Sequence, residues 1–259
     1  MEHEDNWLAL AIGNSRLHWA WYCRQTLIKT WNTPYLGNQV KPSQLPPLFL
    51  CPELIEQGLM FIPIYLASVV SSQTQLWQGY HKLNLLSLTD IQLTNIYSTI
   101  GIDRALAAWG AIATYQQSCL VIDGGTALTF TAVDKQSKFI GGAILPGLRG
   151  QLATLKQETA ALPQITLPDT LPPRWADNTE QAIASGIIYT MISGIQSFIN
   201  DWWRQFPDNQ VLFTGGDAKL LSLYLYSQFP ELKQKTIVDP NLIFHGIKLV
   251  YEERQKQQP

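Results

Sequence analysis

The strongest constraint on the fold is a motif that the chain states twice. Val121-Ile122-Asp123-Gly124-Gly125-Thr126-Ala127-Leu128-Thr129-Phe130 runs from apolar residues into an acid, two glycines and a threonine, and alternation then resumes at Leu128, Phe130 and Ala132. That pattern predicts a strand, a tight turn and a returning strand. Leu8-Ala9-Leu10-Ala11-Ile12-Gly13-Asn14-Ser15-Arg16-Leu17-His18-Trp19-Ala20-Trp21 has the same form, with Ala11 aligned on Asp123, Gly13 on Gly125 and Asn14 on Thr126. A later strand, Val211-Leu212-Phe213-Thr214, closes on Gly215-Gly216-Asp217. Taken singly, Asp-Gly-Gly also makes an ordinary hairpin turn. Its recurrence in separate halves predicts two similar lobes gripping one phosphate-rich ligand. Glycines let the backbone approach an anion and aim N–H groups at it, and an acid at a strand end can hold a cation or its waters.

The remaining chain fits such a plan. Residues 7–36 predict a β-meander, with Thr26 to Trp31 as its third strand. Pro42, Pro46, Pro47 and Pro52 make 41–52 a loop or a helix approach. Met60 to Val70 predicts a buried strand and Leu83 to Leu88 a shorter one, and a helix covers Ala105 to Ala113. After a strand over 138–147, a helix of about three turns begins at Leu148. Four prolines make 162–175 a surface loop. Asp177 and Glu180 have capping-box spacing before a stripe at Ile183, Ile187, Met191, Ile195, Phe198 and Trp202. Val211 to Thr214 is a strand, Lys219 to Tyr226 a helix, and Leu242 to Glu253 a closing amphipathic helix, with 255–259 expected to fray. The expectation is an α/β protein of two mixed-sheet lobes, residues 1–112 and 113–259, the second including the closing helix.

Composition removes several functions. A net charge of −2 leaves no electrostatic footprint for nucleic acid or an anionic membrane. The polar start, Met1 to Asp5, is not a secretory signal, and the apolar run from Leu59 to Val70 is too short for a bilayer. Three cysteines without a CxxC pair read as reduced thiols of a cytoplasmic protein. There is no P-loop, no dinucleotide fingerprint and no GxSxG elbow, and the four histidines have no metal-ligand spacing. What remains is the glycine hairpins and the acids beside them. A second candidate is Tyr97-Ser98-Thr99-Ile100-Gly101-Ile102-Asp103-Arg104. Asp103 admits two readings: a helix N-cap, or a general base beside an anion held by Arg104 and the helix start.

These residues together resemble the type III pantothenate kinases. The resemblance is carried by Gly13-Asn14-Ser15, Tyr97 with Gly101-Ile102-Asp103-Arg104, and Asp123-Gly124-Gly125-Thr126-Ala127. Gly141 to Gly147, Asn178-Thr179 with Ala182-Ile183 and Ser185-Gly186, and Thr214 to Asp217 add to it, in the family's order over nearly the whole chain. The resemblance implies two duplicated lobes of the acetate and sugar kinase/Hsp70/actin (ribonuclease H-like) type, usually as a homodimer. It implies transfer of the γ-phosphate of ATP, with Mg²⁺, to the terminal hydroxyl of pantothenate, the first step of coenzyme A synthesis. By matching motifs, Ala11, Ile12, Gly13, Asn14, Ser15, Arg16, Leu17, His18 and Thr126 would contact ATP. Tyr97, Gly101, Ile102, Asp103, Arg104 and Thr179 would contact pantothenate, with Asp103 as proton acceptor. Asp123 would bind a monovalent cation, K⁺ or NH₄⁺. Without a P-loop lysine, triphosphate charge falls to cations, backbone N–H groups and hydroxyls such as Ser15 and Thr126.

One position departs from the pattern. The family's first hairpin begins with aspartate, and here that place is Ala11. Losing a charge-organising group of this kind lowers a rate on the order of a hundredfold. Asp5 and Asp217 are the candidates for a substitute. The alternative reading is therefore a non-catalytic pantothenate- or nucleotide-binding relative; a third is a kinase or phosphatase for another small hydroxylated acid.

Overall fold

The computed structural model describes residues 5–257. They form two compact units, one running to Gly110 and taken up again at Ile243, the other Ala111–Leu242. The division falls inside a helix, Ile102–Tyr115.

The first unit is built on β1 (Asn6–Ile12), β2 (Leu17–Cys23), β3 (Thr26–Thr33), β4 (Ile64–Ser68) and β5 (Leu83–Leu85), in the order β3-β2-β1-β4-β5. The first three form an antiparallel meander, and β4 and β5 add in parallel. β1, central and buried at all seven positions, is apolar throughout except for Asn6, whereas the edge strand β3 alternates. Short helix α1 (Pro52–Glu56) leads from β3 to β4, α2 (Ser71–Gln75) links the parallel β4 and β5, and α3 (Ile102–Tyr115) follows β5. Trp19 and Trp77 anchor this core, and Trp31 stacks on Trp19 at 5.9 Å. The expected strand over 60–70 shortens to Ile64–Ser68, because the chain reaches the sheet only at Pro63, whose carbonyl accepts from Leu8. The strand over 83–88 likewise shortens to Leu83–Leu85.

The second unit repeats the plan. Its strands are β6 (Cys119–Gly124), β7 (Ala127–Val133), β8 (Phe139–Pro146), β9 (Gln210–Thr214) and β10 (Ile237–Val238). Their order, β10-β9-β6-β7-β8, matches the first sheet strand for strand, with the same parallel and antiparallel pairings. Helices α4 (Leu148–Glu158) and α5 (Thr179–Gln205) join β8 to β9, α6 (Ala218–Gln228) joins β9 to β10, and α7 (Leu242–Lys256) ends the chain. Ile188, Ile192, Ile195 and Ile199 of α5 share a core with Ile122, Phe130 and Phe213.

Two expectations about α5 are corrected here. The cap of α5 is Asn178, whose side chain accepts from Gln181 N–H at 3.0 Å, not Asp177 with Glu180. The buried stripe runs through Ala184, Ile188, Ile192 and Ile199 as well as Ile183, Met191, Ile195 and Trp202. Phe198 is 44% exposed and stacks on Phe130. By length and composition α5 is the one described helix that would suit a bilayer, but its stripe is spent on this core.

The largest correction concerns α7, which the sequence reading gave to the second lobe and which packs in the first unit. Trp7 stacks between Tyr22 and Tyr251, each 4.3 Å away and nearly parallel. Tyr22 donates to the Phe244 carbonyl, and Arg254 pairs with Asp90 at 2.7 Å. The aromatic face of α7 finds its complement on β1 and β2 rather than on neighbours in sequence. The polar start at residues 1–4 and the last two residues, 258–259, lie outside the described residues; α7 is helical through Lys256, within the stretch expected to fray.

Candidate active site

In the first unit the turn Gly13–Arg16 connects β1 to β2 beside the carboxyl end of β4. Gly13 N–H donates to Arg16 O at 3.2 Å and the Tyr35 hydroxyl donates to Gly13 O at 2.6 Å, so the glycine is held from both sides. Val69 N–H donates to Ile12 O at 3.1 Å, tying the turn to the end of β4. Asn14, Ser15 and Arg16 are exposed at the tip; Ala11, Ile12 and Leu17 are buried beneath it. Two residues past the turn, His18 reaches Asn32 of β3, Nδ1 to Oδ1 at 2.7 Å. Burial holds the His18 imidazole below its ordinary value; the Asn32 bond acts against this and the Arg16 charge with it.

The Tyr97–Arg104 segment belongs to the same unit. Gly101 packs 3.8 Å from Val69, measured from where its Cβ would stand, which brings the start of α3 to the hairpin's β4 side. Asp103 is the second residue of α3 and not its cap, which settles one of its two sequence readings. Its Oδ1 accepts from Arg104 N–H at 2.8 Å and folds back over Gly101, where a methyl would overlap it. Burial pushes the Asp103 carboxyl above the usual carboxylate range, and the Arg104 N–H and charge oppose the rise. A carboxylate held this way is a better proton acceptor than one in water. Arg104, buried, donates to the Tyr97 hydroxyl at 2.9 Å, joining two residues read separately from the sequence.

In the second unit three loops converge at the carboxyl ends of β6 and β9, the usual place for ligands in such sheets. Gly125 N–H donates to Ala127 O at 2.9 Å, Gly147 N–H to Thr126 O at 3.0 Å, and Asp217 N–H to Gly124 O at 2.8 Å. Gly215 has φ +88°, and a methyl there would overlap both the Asp123 carboxylate and the Gly124 carbonyl. Only glycine lets the three loops close this tightly. Asp123 is paired with Thr214 on β9 and Thr129 on β7, so the three side chains share one face. Thr129 Oγ1 is buried without a hydrogen-bond partner among the described residues. One carboxylate, an unpartnered hydroxyl and nearby carbonyls suit a hard, oxygen-seeking cation. No cluster of three or more His, Cys, Asp or Glu occurs among the described residues, so a transition-metal centre has no donor set here. Thr126 is exposed on the turn, whereas Thr179 stands apart at the first position of α5, also exposed.

Sequence reasoning missed Arg149, which forms an ion pair with buried Asp217, and the row His18–Asn32. It also offered Asp5 and Asp217 as substitutes for the carboxylate absent at Ala11, and both have other partners in the structure. Asp5 pairs with Arg24 at the opposite end of β1, about 20 Å along a seven-residue strand. Asp217 is engaged by Arg149 within the second unit.

Two repeated sheets with glycine hairpins at their carboxyl ends define the class: the fold of actin, Hsp70 and the sugar kinases. A solved structure described as a conserved putative Baf family transcriptional activator from Campylobacter jejuni superposes with a TM-score of 0.61 at 22% identity, over 96% of this chain and 99% of that one. An archaeal actin homologue superposes with a TM-score of 0.51 at 10% identity, over 96% and 99%. Both likenesses concern the fold. The description of the type III pantothenate kinase family matches residues 7–201. A protein of that name from Nostoc sp. is 45% identical over 95% of both chains, and one from Synechocystis sp. is 44% identical over 96% of this chain and 92% of its own. The chain belongs to the type III pantothenate kinase family and is accordingly a kinase, a transferase of coenzyme A biosynthesis. Nothing in these matches favours a non-catalytic relative over the enzyme.

Proposed function

We propose that the protein transfers the γ-phosphate of ATP to the terminal hydroxyl of pantothenate, in the cytoplasm and as a homodimer. The observation that carries the mechanism is the Asp103 carboxylate, buried at the start of α3 and folded over Gly101. Asp103 accepts the hydroxyl proton as the oxygen bonds to the γ-phosphorus and the bond to the β-phosphate oxygen breaks, releasing ADP. Arg104 and Tyr97, joined at 2.9 Å, receive the pantothenate end of the reaction, the guanidinium taking its carboxylate. Thr179 adds a hydroxyl. The Ala11–His18 turn and Thr126 offer N–H groups and hydroxyls to the nucleotide. Asp123, with Thr129 beside it, holds a monovalent cation, K⁺ or NH₄⁺. Mg²⁺ carried by ATP supplies charge neutralisation.

The test is ADP release with ATP, Mg²⁺, K⁺ and pantothenate. Pantothenate-dependent turnover is expected, and Asp103→Asn should abolish it while ATP still binds. Turnover without pantothenate dependence would discard the substrate, and normal turnover in Asp103→Asn would discard the base. A monomer mass by light scattering would discard the dimer.

A further inference from the structure

The two sheets carry equivalent rows of side chains at the level of the two hairpins. In the second unit the row is Thr214, Asp123, Thr129, Ile144 across β9, β6, β7 and β8. In the first unit the strand-for-strand counterpart is Ala67, Ala11, His18, Asn32 across β4, β1, β2 and β3. Paired residues share a face of the sheet, so His18 stands directly beside Ala11, where the second unit has Thr129 beside Asp123. The first row has lost its carboxylate and gained an imidazole one strand over.

The orientation of that imidazole is determined. The Asn32 Oδ1 carbonyl oxygen can only accept, so the proton of their 2.7 Å hydrogen bond sits on His18 Nδ1. Nε2 of the neutral ring then carries a lone pair. It lies over the turn, 3.5 Å from where a Cβ of Gly13 would be. Burial favours the neutral ring. An acceptor fixed by a partner on a neighbouring strand, beside a turn whose Asn14, Ser15 and Arg16 are exposed, is suited to a donor that arrives with the ligand. Magnesium bound to a nucleotide keeps several waters, and those waters are donors.

We propose that His18, oriented by Asn32, replaces the carboxylate missing at Ala11 by accepting through Nε2 a hydrogen bond from the water shell of the nucleotide's magnesium ion. His18 is thus a positioning residue for the metal–nucleotide, and Asn32 fixes its tautomer. The inference rests on the reading of the Ala11–His18 turn as a nucleotide-phosphate site.

Calorimetric binding of a non-hydrolysable ATP analogue, in Mg²⁺ and in EDTA, tests it without turnover. His18→Phe keeps the ring's shape and removes its nitrogens. It should weaken binding about 10-fold in Mg²⁺, the scale of outer-shell losses at metal sites, and leave binding in EDTA unchanged. His18→Gln, which retains a polar atom near the Nε2 position, should recover part of the loss. Adding Ala11→Asp to His18→Phe should recover most of it. Wild-type binding by His18→Phe in both conditions, with binding weakened by Ser15→Ala, would overturn the role of His18 and leave the turn as the phosphate site. Unchanged binding in both His18→Phe and Ser15→Ala would overturn the phosphate site and the inference with it. Should His18→Phe not fold, Asn32→Ala at an exposed edge position decides: a Mg²⁺-specific loss supports the inference, and none overturns it.

Discussion

The carboxylate of Asp103 folds back over Gly101, so close that a methyl on that glycine would overlap Oδ1. Gly101 is therefore there to leave room for the proposed base. Its φ is not in the left-handed region, so alanine fits the backbone there and the only obstacle is the end of one side chain. Gly101→Ala should fold with near-native stability and displace the carboxylate. A misplacement on the order of 1 Å costs about 100-fold in rate, and that loss is expected in kcat with the melting temperature preserved. A variant with native kcat would show that the carboxylate does not need this position.

The electrostatics of the same residue set two signs. Burial raises the Asp103 pKa and Arg104 lowers it. As a base Asp103 must be ionised, so kcat should fall on acidification with an inflection above the ordinary carboxylate value of about 3.9. Arg104→Gln removes an opposing charge and should move that inflection higher still. The stability sign runs the other way. A carboxyl whose folded pKa is raised contributes stability below its unfolded pKa and loses it as pH rises through the folded one. At neutral pH the buried charge is thus a cost of function, and Asp103→Asn should raise the melting temperature while ending turnover. The increase should shrink as the pH falls through the raised folded pKa, where native Asp103 takes up its proton. A lower melting temperature for Asp103→Asn at neutral pH would mean that its hydrogen bond to Arg104 outweighs its burial.

Much of this architecture is written in local pattern. The repeat of strand, glycine turn and strand is legible because hairpins join neighbours in sequence, and the alignment of Ala11 on Asp123 lands on the same row of both sheets. The start of α3 is legible only to within a turn: the helix read from Ala105 begins at Ile102, and Asp103 lies inside it rather than at its cap. What escaped reading involves partners far apart. Trp7 and Tyr251 carry no shared signature, so α7 reads as part of the half it follows. Arg149 and Asp217, or His18 and Asn32, meet only once loop closure and strand register are known. In the stripe of α5 the sequence points to Ile187 and Phe198 where Ile188 and Ile199 are the buried residues, because a 3.6-residue period mixes steps of three and four.

Gly215 is the one glycine of the second site that combines a positive φ, +88°, with a close approach. Alanine there is strained in its backbone and presses on both Asp123 and the Gly124 carbonyl. Gly215→Ala should destabilise the protein by about 1–3 kcal/mol, the cost of holding a side chain in an unfavoured region. Because the displaced group is the proposed cation ligand, K⁺ should also lose its effect on nucleotide binding. Calorimetry with K⁺ and with a large organic cation in its place reads the second effect separately from the melting temperature. Lost stability with an intact K⁺ effect would remove Asp123 from the cation site.

Closure of the first unit by α7 depends on another glycine. A Cβ on Gly246 would overlap the backbone of Leu106, so α3 and α7 touch main chain to main chain at that point. No side-chain rotation relieves such an overlap; the helices have to separate. Overpacking of this kind costs about 1–3 kcal/mol, and Gly246→Ala should lower the melting temperature accordingly. The separation would also draw α7 from the Trp7–Tyr251 stack, so tryptophan emission should shift to the red in the folded variant. Trp7→Ala removes the stack itself and should cost about 3–5 kcal/mol. The two losses should fall short of additivity in the double variant, because both act through the seating of one helix. Full additivity would mean that the Gly246 contact and the aromatic stack hold α7 independently.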